Sequence, residues 1–130
     1  MHQLLPDLSD KLQEYVDSLP DQEVVPMEPF ASVVININAC TAFHRDWNDW
    51  IICGVLPIAD CVRGATVLHQ YGVAIHGRSG DFLLFRSADT NHYNDHYVGR
   101  RASLVFHTDS AAKDWIKNCN GWINNDYYVA

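Results

Sequence analysis

The pattern of apolar and polar positions divides the chain into a helical start, a strand-rich middle and a helical end. In the first segment apolar residues recur at helical spacing, namely Leu8, Leu12, Val16 and Leu19. Asp7 is the expected helix cap, and Pro20 is expected to end the helix. After Pro26 and Pro29 the apolar period becomes that of strands, and a second helical stretch follows at residues 111–117.

The middle of the chain contains short apolar runs that predict β-strands, at residues 32–38, 50–58, 65–69, 73–76, 81–85 and 102–108. Turn signals separate most of them, at residues 60–64, Gly72, residues 77–80 and Gly99. Because no helical segment lies between the runs, the pattern favours antiparallel sheets over a parallel α/β sheet.

We therefore predict a mainly β fold in a single domain, residues 1–130, most simply a jelly roll, also called a double-stranded β-helix. Residues 1–29 would form a supporting helix and a linker, residues 30–109 the jelly-roll core, and residues 110–130 a tail with a short C-terminal helix.

Composition and charge narrow the classes of function. With 130 residues, 48% of them hydrophobic and 19% charged, the chain can fold around one core. The net charge of -7 excludes a basic nucleic-acid-binding arm, although much of the acidity lies in residues 1–30, and residues 31–130 are nearly balanced. We see no membrane-spanning run or secretory signal, which favours a nuclear or cytoplasmic location without a membrane.

Histidine is abundant, with seven residues, and His44-Arg45-Asp46 forms a His-x-Asp tripeptide. In such a tripeptide at the mouth of a strand, both side chains point to one side, as a facial iron site requires. His107-Thr108-Asp109 has the same form, so the tripeptide alone does not settle the position of the site. A third ligand must come from a distant strand, and His92 and His96 are both candidates.

The last predicted strand places Arg101, Ser103 and His107 on one face. A guanidinium and a hydroxyl that point into a barrel can bind a carboxylate, and a buried arginine without such a partner is costly. A dicarboxylate ligand would explain the pair. Asn36 and Asn38 share one face of the first strand, where either a ligand or a structural hydrogen-bond network would satisfy them.

The order His-x-Asp, Gly-Asp-x-x-x-Phe, His and Arg-x-Ser over residues 30–109 resembles the 2-oxoglutarate/iron(II)-dependent dioxygenases. The resemblance implies an Fe(II) site formed by His44, Asp46 and His92, because the family spacing favours His92 over His96. It also implies 2-oxoglutarate and O2 as cosubstrates, with the distal carboxylate of 2-oxoglutarate bound by Arg101 and Ser103. Asn36 is a further candidate for cosubstrate binding because of its face on the first strand. Because Gly99 precedes Arg100 as well as Arg101, the choice of Arg101 depends on its alternation with Ser103 and on its spacing from His92.

A narrower likeness covers residues 35–49, 80–87 and 106–109, which are similar to the fungal branch of the TET/JBP-type oxygenases. Members of that group oxidise 5-methylpyrimidines in nucleic acids. The likeness implies that Asp49, three positions after Asp46, reads the base, with His107 as a second residue on the substrate side. Asn38 is a further candidate for substrate binding because of its face on the first strand. A solvated loop acid for Asp49 and a hydrogen-bonded core histidine for His107 are the structural alternatives.

The sequence thus predicts an Fe(II)/2-oxoglutarate-dependent dioxygenase that hydroxylates a C–H bond, with the methyl group of a 5-methylcytosine-type nucleobase as the favoured substrate. The alternatives are a protein or small-molecule substrate, or a jelly-roll binding module without turnover. A cupin site is excluded because all three glutamates, Glu14, Glu23 and Glu28, precede the strands. The arginines are scattered, so we expect no tight binding of duplex nucleic acid by this chain alone. The oligomeric state is left open.

Overall fold

The strands pair antiparallel throughout the described part of the chain, which is residues 1–119 and 121 of the computed structural model. The elements in chain order are α1 (Pro6–Asp17), β1 (Ser32–Ile37), β2 (Cys53–Arg63), β3 (Thr66–Leu68), β4 (Val73–Ile75), β5 (Leu83–Phe85), β6 (His92–Asn94), β7 (Tyr97–His107) and α2 (Ala112–Asn118). The rest of the predicted tail, residues 120 and 122–130, lies outside the described residues. Neither helix in the described ranges has the length and apolar character needed to cross a bilayer.

The strands form two sheets, one four-stranded with the order β1-β7-β2-β5 and one three-stranded with the order β4-β3-β6. The long strands β2 and β7 pair from Gly54 opposite Phe106 to Arg63 opposite Tyr97. The predicted mainly β fold with a helix on either side of the strands in sequence is therefore confirmed. The connection of the strands as a double-stranded β-helix stays a prediction.

Helix α1 covers part of the four-stranded sheet with an apolar face. Leu12 and Val16 are fully buried, and Leu12 belongs to a core cluster with Phe30, Ile52 and Phe106. The prediction that Asp7 caps the helix is wrong, because the helix already begins at Pro6 and Leu5 occupies the cap position without a side-chain hydrogen bond. Asp7 instead lies in the first turn, where a negative charge is favourable near the helix N-terminus.

The turn predicted at residues 60–64 begins too early, although the chain does turn at Arg63 and Gly64, and the turn predicted at Gly99 is wrong. Strand β2 continues to Arg63, and Gly99 lies inside β7 opposite Cys61. Gly99 has φ +120°, and a Cβ atom there would lie 2.5 Å from the carbonyl oxygen of Asp60. This glycine therefore permits two long strands to approach each other closely. A glycine in a strand-rich sequence can thus serve close strand pairing as well as a turn.

Strand β6 has only three residues and was not predicted, because the sequence His-Tyr-Asn lacks an apolar alternation. It pairs with β3, with His92 opposite Leu68 and Asn94 opposite Thr66. This short strand matters for function, since it fixes the position of His92.

Candidate metal centre

His44, Asp46 and His92 form a group in which one ligand atom from each residue lies within 4.8 Å of the others. One carboxylate oxygen of Asp46 lies 3.5 Å from Nε2 of His44, and the other lies 3.3 Å from Nε2 of His92. Within residues 1–119 and 121 it is the one group of this kind, and neither His96 nor the tripeptide at residues 107–109 belongs to it. The arrangement can hold a metal ion.

The backbone brings the two histidines together directly. His44 and His92 form an isolated antiparallel bridge, with reciprocal N–H to carbonyl hydrogen bonds of 3.0 and 2.9 Å. Residues that face each other in such a bridge project their side chains to the same side, and the two ring centroids are 4.3 Å apart. Asp46 is fixed by a separate hydrogen bond of 3.1 Å from its backbone N–H to the carbonyl of Ser87.

Backbone carbonyls also set the orientation of both imidazole rings. Nδ1 of His44 lies against the carbonyl of Ala42, and Nδ1 of His92 lies 2.8 Å from the carbonyl of Thr90. Because a carbonyl oxygen only accepts, each Nδ1 carries a hydrogen, and Nε2 is left to face Asp46. Histidine ligands of metal ions are commonly oriented by such a hydrogen bond on the far nitrogen.

The charges within the group favour a cation at its centre. The hydrogen bond with His92 is the main reason that the pKa of Asp46 is lowered. Burial alone would lower the pKa of His92, but its contacts with Asp46 and the Thr90 carbonyl outweigh burial and raise it. A proton on Nε2 of His92 therefore satisfies the carboxylate when no metal is bound, so a metal ion and a proton compete for the same place.

His44, Asp46 and His92 line a cavity of about 300 Å³, and most of the other predicted site residues line it too. Its polar lining also includes Asn36 of β1, Ser103 and His107 of β7, and Asp49. Apolar walls come from residues such as Val55 and Phe85. A few polar groups converging in a mostly apolar cavity is the usual form of a small-molecule site.

Asp49 and His107 face each other in this cavity. The Asp49 carboxylate accepts a hydrogen bond from the hydroxyl of Ser87 and lies 3.4 Å from Nδ1 of His107. Burial raises the pKa of Asp49, although the Ser87 hydrogen bond acts in the opposite direction. Nδ1 of His107 is buried without a hydrogen-bond partner. Its polar neighbour is the Asp49 carboxylate, and both residues line the cavity.

Arg101 is buried, with 7% of its surface exposed, and within the described residues its guanidinium has no ion pair with a carboxylate. It lines a second cavity of about 330 Å³, which shares Val55 and Thr66 with the cavity of the histidines. Ser103, two residues later, lines the first cavity. The predicted Arg–Ser pair thus borders two adjoining cavities.

Two of the predicted candidates lie away from this cluster. Asn38 follows the end of β1 and does not line the metal-site cavity, and its side-chain oxygen accepts a hydrogen bond of 3.2 Å from the backbone N–H of Arg101. This is the structural network that the sequence left open for the asparagines. His96 is exposed and follows β6.

Sequence reasoning missed Ser87 and Asn94, which contact predicted site residues directly. Ser87 comes two positions after Phe85, at the end of an apolar strand, and it contacts Asp49. Asn94 comes two positions after His92, so strand alternation could have placed it on the same face.

No protein-family model matches the chain, and no curated protein matches its sequence. Among solved structures, NgTET1 in complex with 5mC DNA is similar, with a TM-score of 0.71 and 19% sequence identity. The match covers 85% of this chain and 46% of NgTET1, so this chain spans less than half of that protein's length. At this identity the likeness concerns the fold, and it agrees with a jelly-roll-like arrangement of the two sheets.

Proposed function

We propose that this protein is an Fe(II)/2-oxoglutarate-dependent dioxygenase. The observation that carries the proposal is the His44, Asp46 and His92 group, in which both Nδ1 atoms are held by carbonyls and both Nε2 atoms face one carboxylate. Two imidazoles and one carboxylate on one side form the ligand set typical of Fe(II) oxygenases, which keep further coordination positions open. The fold shared with NgTET1 supports the same class.

The remaining residues fit a dicarboxylate cosubstrate. Arg101 is a buried cation without an acidic partner in the described chain, and a ligand carboxylate would neutralise it. Ser103 and Asn36 supply hydrogen-bonding groups in the adjoining cavity. When bound, iron and 2-oxoglutarate supply the oxidising chemistry, in which O2 gives one oxygen atom to a substrate C–H bond and one to succinate.

For the substrate we propose a 5-methylcytosine-type nucleobase. The half-buried carboxylate of Asp49 can accept a hydrogen bond from an exocyclic amine, and His107 lines the same cavity beside it. NgTET1, which shares the fold, forms a complex with 5mC DNA. Asn38 would act indirectly, through the hydrogen bond that its side chain accepts from the backbone N–H of Arg101. With its net charge of -7, the chain is better suited to a flipped or single-stranded base than to tight duplex binding.

The metal site is tested by adding Fe(II) and 2-oxoglutarate without oxygen and recording the visible charge-transfer band. We expect the band in the intact protein and its loss in Asp46→Ala and in His92→Ala. His96→Ala is the matched control, because His96 is a nearby exposed histidine outside the group. No band in the intact protein contradicts the iron and cosubstrate assignment. A band lost in His96→Ala but kept in His92→Ala overturns the choice of ligand.

The substrate is tested with single-stranded and double-stranded oligonucleotides that contain 5-methylcytosine, using mass spectrometry to detect an added oxygen atom. We expect oxidation to be faster on the single strand, and Asp49→Ala to reduce it without loss of the charge-transfer band. Succinate formed only with protein or small-molecule substrates would assign a different substrate. A bound cosubstrate that is never turned over would favour a binding module.

A further inference from the structure

The guanidinium of Arg101 is held by an uncharged residue, Asn94. With the Asn94 amide oxygen facing the arginine, the oxygen lies 3.0 Å from Nη1 and 2.6 Å from Nη2. The amide nitrogen then lies 2.9 Å from Oγ1 of Thr41. This orientation follows from chemistry, because an arginine only donates hydrogen bonds and the opposite orientation would bring two donors together.

Thr41 completes the hydrogen bonding of the amide in that orientation, since its hydroxyl oxygen can accept from the amide nitrogen. Its hydroxyl oxygen also accepts a hydrogen bond of 3.2 Å from the backbone N–H of Asn94, so one oxygen serves both nitrogens of the same residue. Both Thr41 and Asn94 line the cavity of the histidines, whereas Arg101 lines the adjoining one. Asn94 therefore stands between the candidate metal ligands and the cationic end of the site.

The uncharged partner leaves the charge of Arg101 available. A carboxylate at position 94 would form an internal ion pair with the same two nitrogens, whereas an amide oxygen orients them without neutralising them. The acid that shares the second cavity with Arg101, Asp81, is instead engaged with Arg78, through the Arg78 backbone N–H at 2.8 Å and its Nε at 3.7 Å. A guanidinium has five N–H donors, and the Asn94 oxygen faces only Nη1 and Nη2, so its charge can still attract a ligand carboxylate.

We infer that Asn94 is a positioning residue for the cosubstrate, which holds Arg101 in place as an unneutralised cation and so sets the affinity for a 2-oxo dicarboxylate. The inference rests on the proposed function, since it names the residue that prepares the arginine for 2-oxoglutarate. This role differs from a purely structural one, because the affinity for 2-oxoglutarate depends more on the charge of the side chain at position 94 than on its shape.

The test is the near-isosteric variant Asn94→Asp, compared with Asn91→Asp as a matched control. Asn91 makes the same kind of contact with another arginine, since it accepts a hydrogen bond of 2.7 Å from Nε of Arg45. We expect Asn94→Asp to raise the dissociation constant for 2-oxoglutarate at least about tenfold, measured from the charge-transfer band, because an internal carboxylate competes for the guanidinium. Asn91→Asp is expected to leave that constant within about twofold.

Thermal unfolding without metal and cosubstrate separates a weaker affinity for 2-oxoglutarate from damage to the fold. We expect Asn94→Asp to melt at or above the temperature of the intact protein, because Arg101 gains an acidic partner. Asn94→Ala, which removes the hydrogen bonds but adds no charge, should raise the Michaelis constant for 2-oxoglutarate less than Asn94→Asp does.

Each outcome has one meaning. Unchanged 2-oxoglutarate affinity in Asn94→Asp, or equal losses in the aspartate and alanine variants, overturns the inference while the proposed oxygenase function stands. If Asn94→Asp does not fold, Asn94→Ala decides, since unchanged 2-oxoglutarate binding in that variant also overturns the inference. If the intact protein itself gives no band with 2-oxoglutarate, the proposed function fails and the inference fails with it.

Discussion

Ser87→Ala removes the only side-chain donor that the described chain offers to the Asp49 carboxylate, apart from the longer approach of His107. Ser87 is 1% exposed, so water does not readily replace its hydroxyl. The alanine leaves a small space, and the main consequence is a buried carboxylate that has lost a charge-assisted hydrogen bond. Such a bond contributes about 1.5 to 3 kcal/mol. We expect the free energy of unfolding to fall by roughly that amount at neutral pH.

The effect should depend on pH in a defined direction. Burial already raises the pKa of Asp49 above its ordinary value of 3.8, and the Ser87 hydrogen bond opposes this rise. A carboxyl group with a raised folded-state pKa loses stabilisation as the pH increases from its unfolded-state pKa through its folded-state pKa. Because Ser87→Ala raises the folded-state pKa further, its cost is greatest above that pKa and shrinks as the pH falls towards about 4.

The coupling free energy between Ser87 and Asp49 is measured by urea denaturation of four proteins. These are the intact chain, Ser87→Ala, Asp49→Asn and the double variant. Asp49→Asn is the control, because an asparagine at this position carries no charge for the Ser87 hydroxyl to stabilise. We expect Ser87→Ala to cost clearly less in the Asp49→Asn background. An equal cost in both backgrounds, or a cost below about 0.5 kcal/mol in the intact chain, would refute the reasoning.

Other variants probe the core, the strand pairing and the buried thiol. Phe30→Ala should lower the free energy of unfolding by about 3 to 5 kcal/mol, because the ring is fully buried; a loss below about 1 kcal/mol in urea denaturation would contradict its place in the core. Gly99→Ala should cost about 1 to 3 kcal/mol in the same assay, because its Cβ would meet the Asp60 carbonyl, and an unchanged denaturation midpoint would argue against the close pairing of β2 and β7. Burial raises the pKa of Cys53 from 9.0 to about 12, so its stabilisation is complete below pH 9 and is lost as the pH rises towards 12. Thiol labelling near pH 8 should therefore modify exposed Cys40 before Cys53, and equal rates would contradict the burial of Cys53.

The sequence was informative where chemistry depends on short spacing. Of the three residues that alternation puts on one face of the last strand, Ser103 and His107 line one cavity and Arg101 lines the adjoining one, and the His-x-Asp tripeptide at residues 44–46 lies with His92 in the candidate metal group. Such proximity can be predicted because side chains two apart on extended backbone share a face whatever the rest of the fold does.

The missed features depend on contacts between distant segments. Ser87 bonds to Asp49 across 38 positions, and Thr41 reaches Asn94 across 53, so no local pattern signals either pair. Strand β6 exists through its pairing with β3 and not through apolar alternation of its own. The sequence indicates a turn at Gly99 because a single glycine does not distinguish a chain reversal from a close approach of two strands.

The division of the site between the two sheets has a consequence for how the protein would respond to loading. His92 belongs to the sheet of three-residue strands, whereas Arg101 and Ser103 belong to the long strand β7 of the other sheet. Metal and cosubstrate bound across them would act as a cross-link between a sheet with few backbone pairs and one with many. The amide protons of β3, β4 and β6 would then gain more protection from hydrogen exchange than those of β2 and β7, because the less stable unit gains most when opening must also release the ligand.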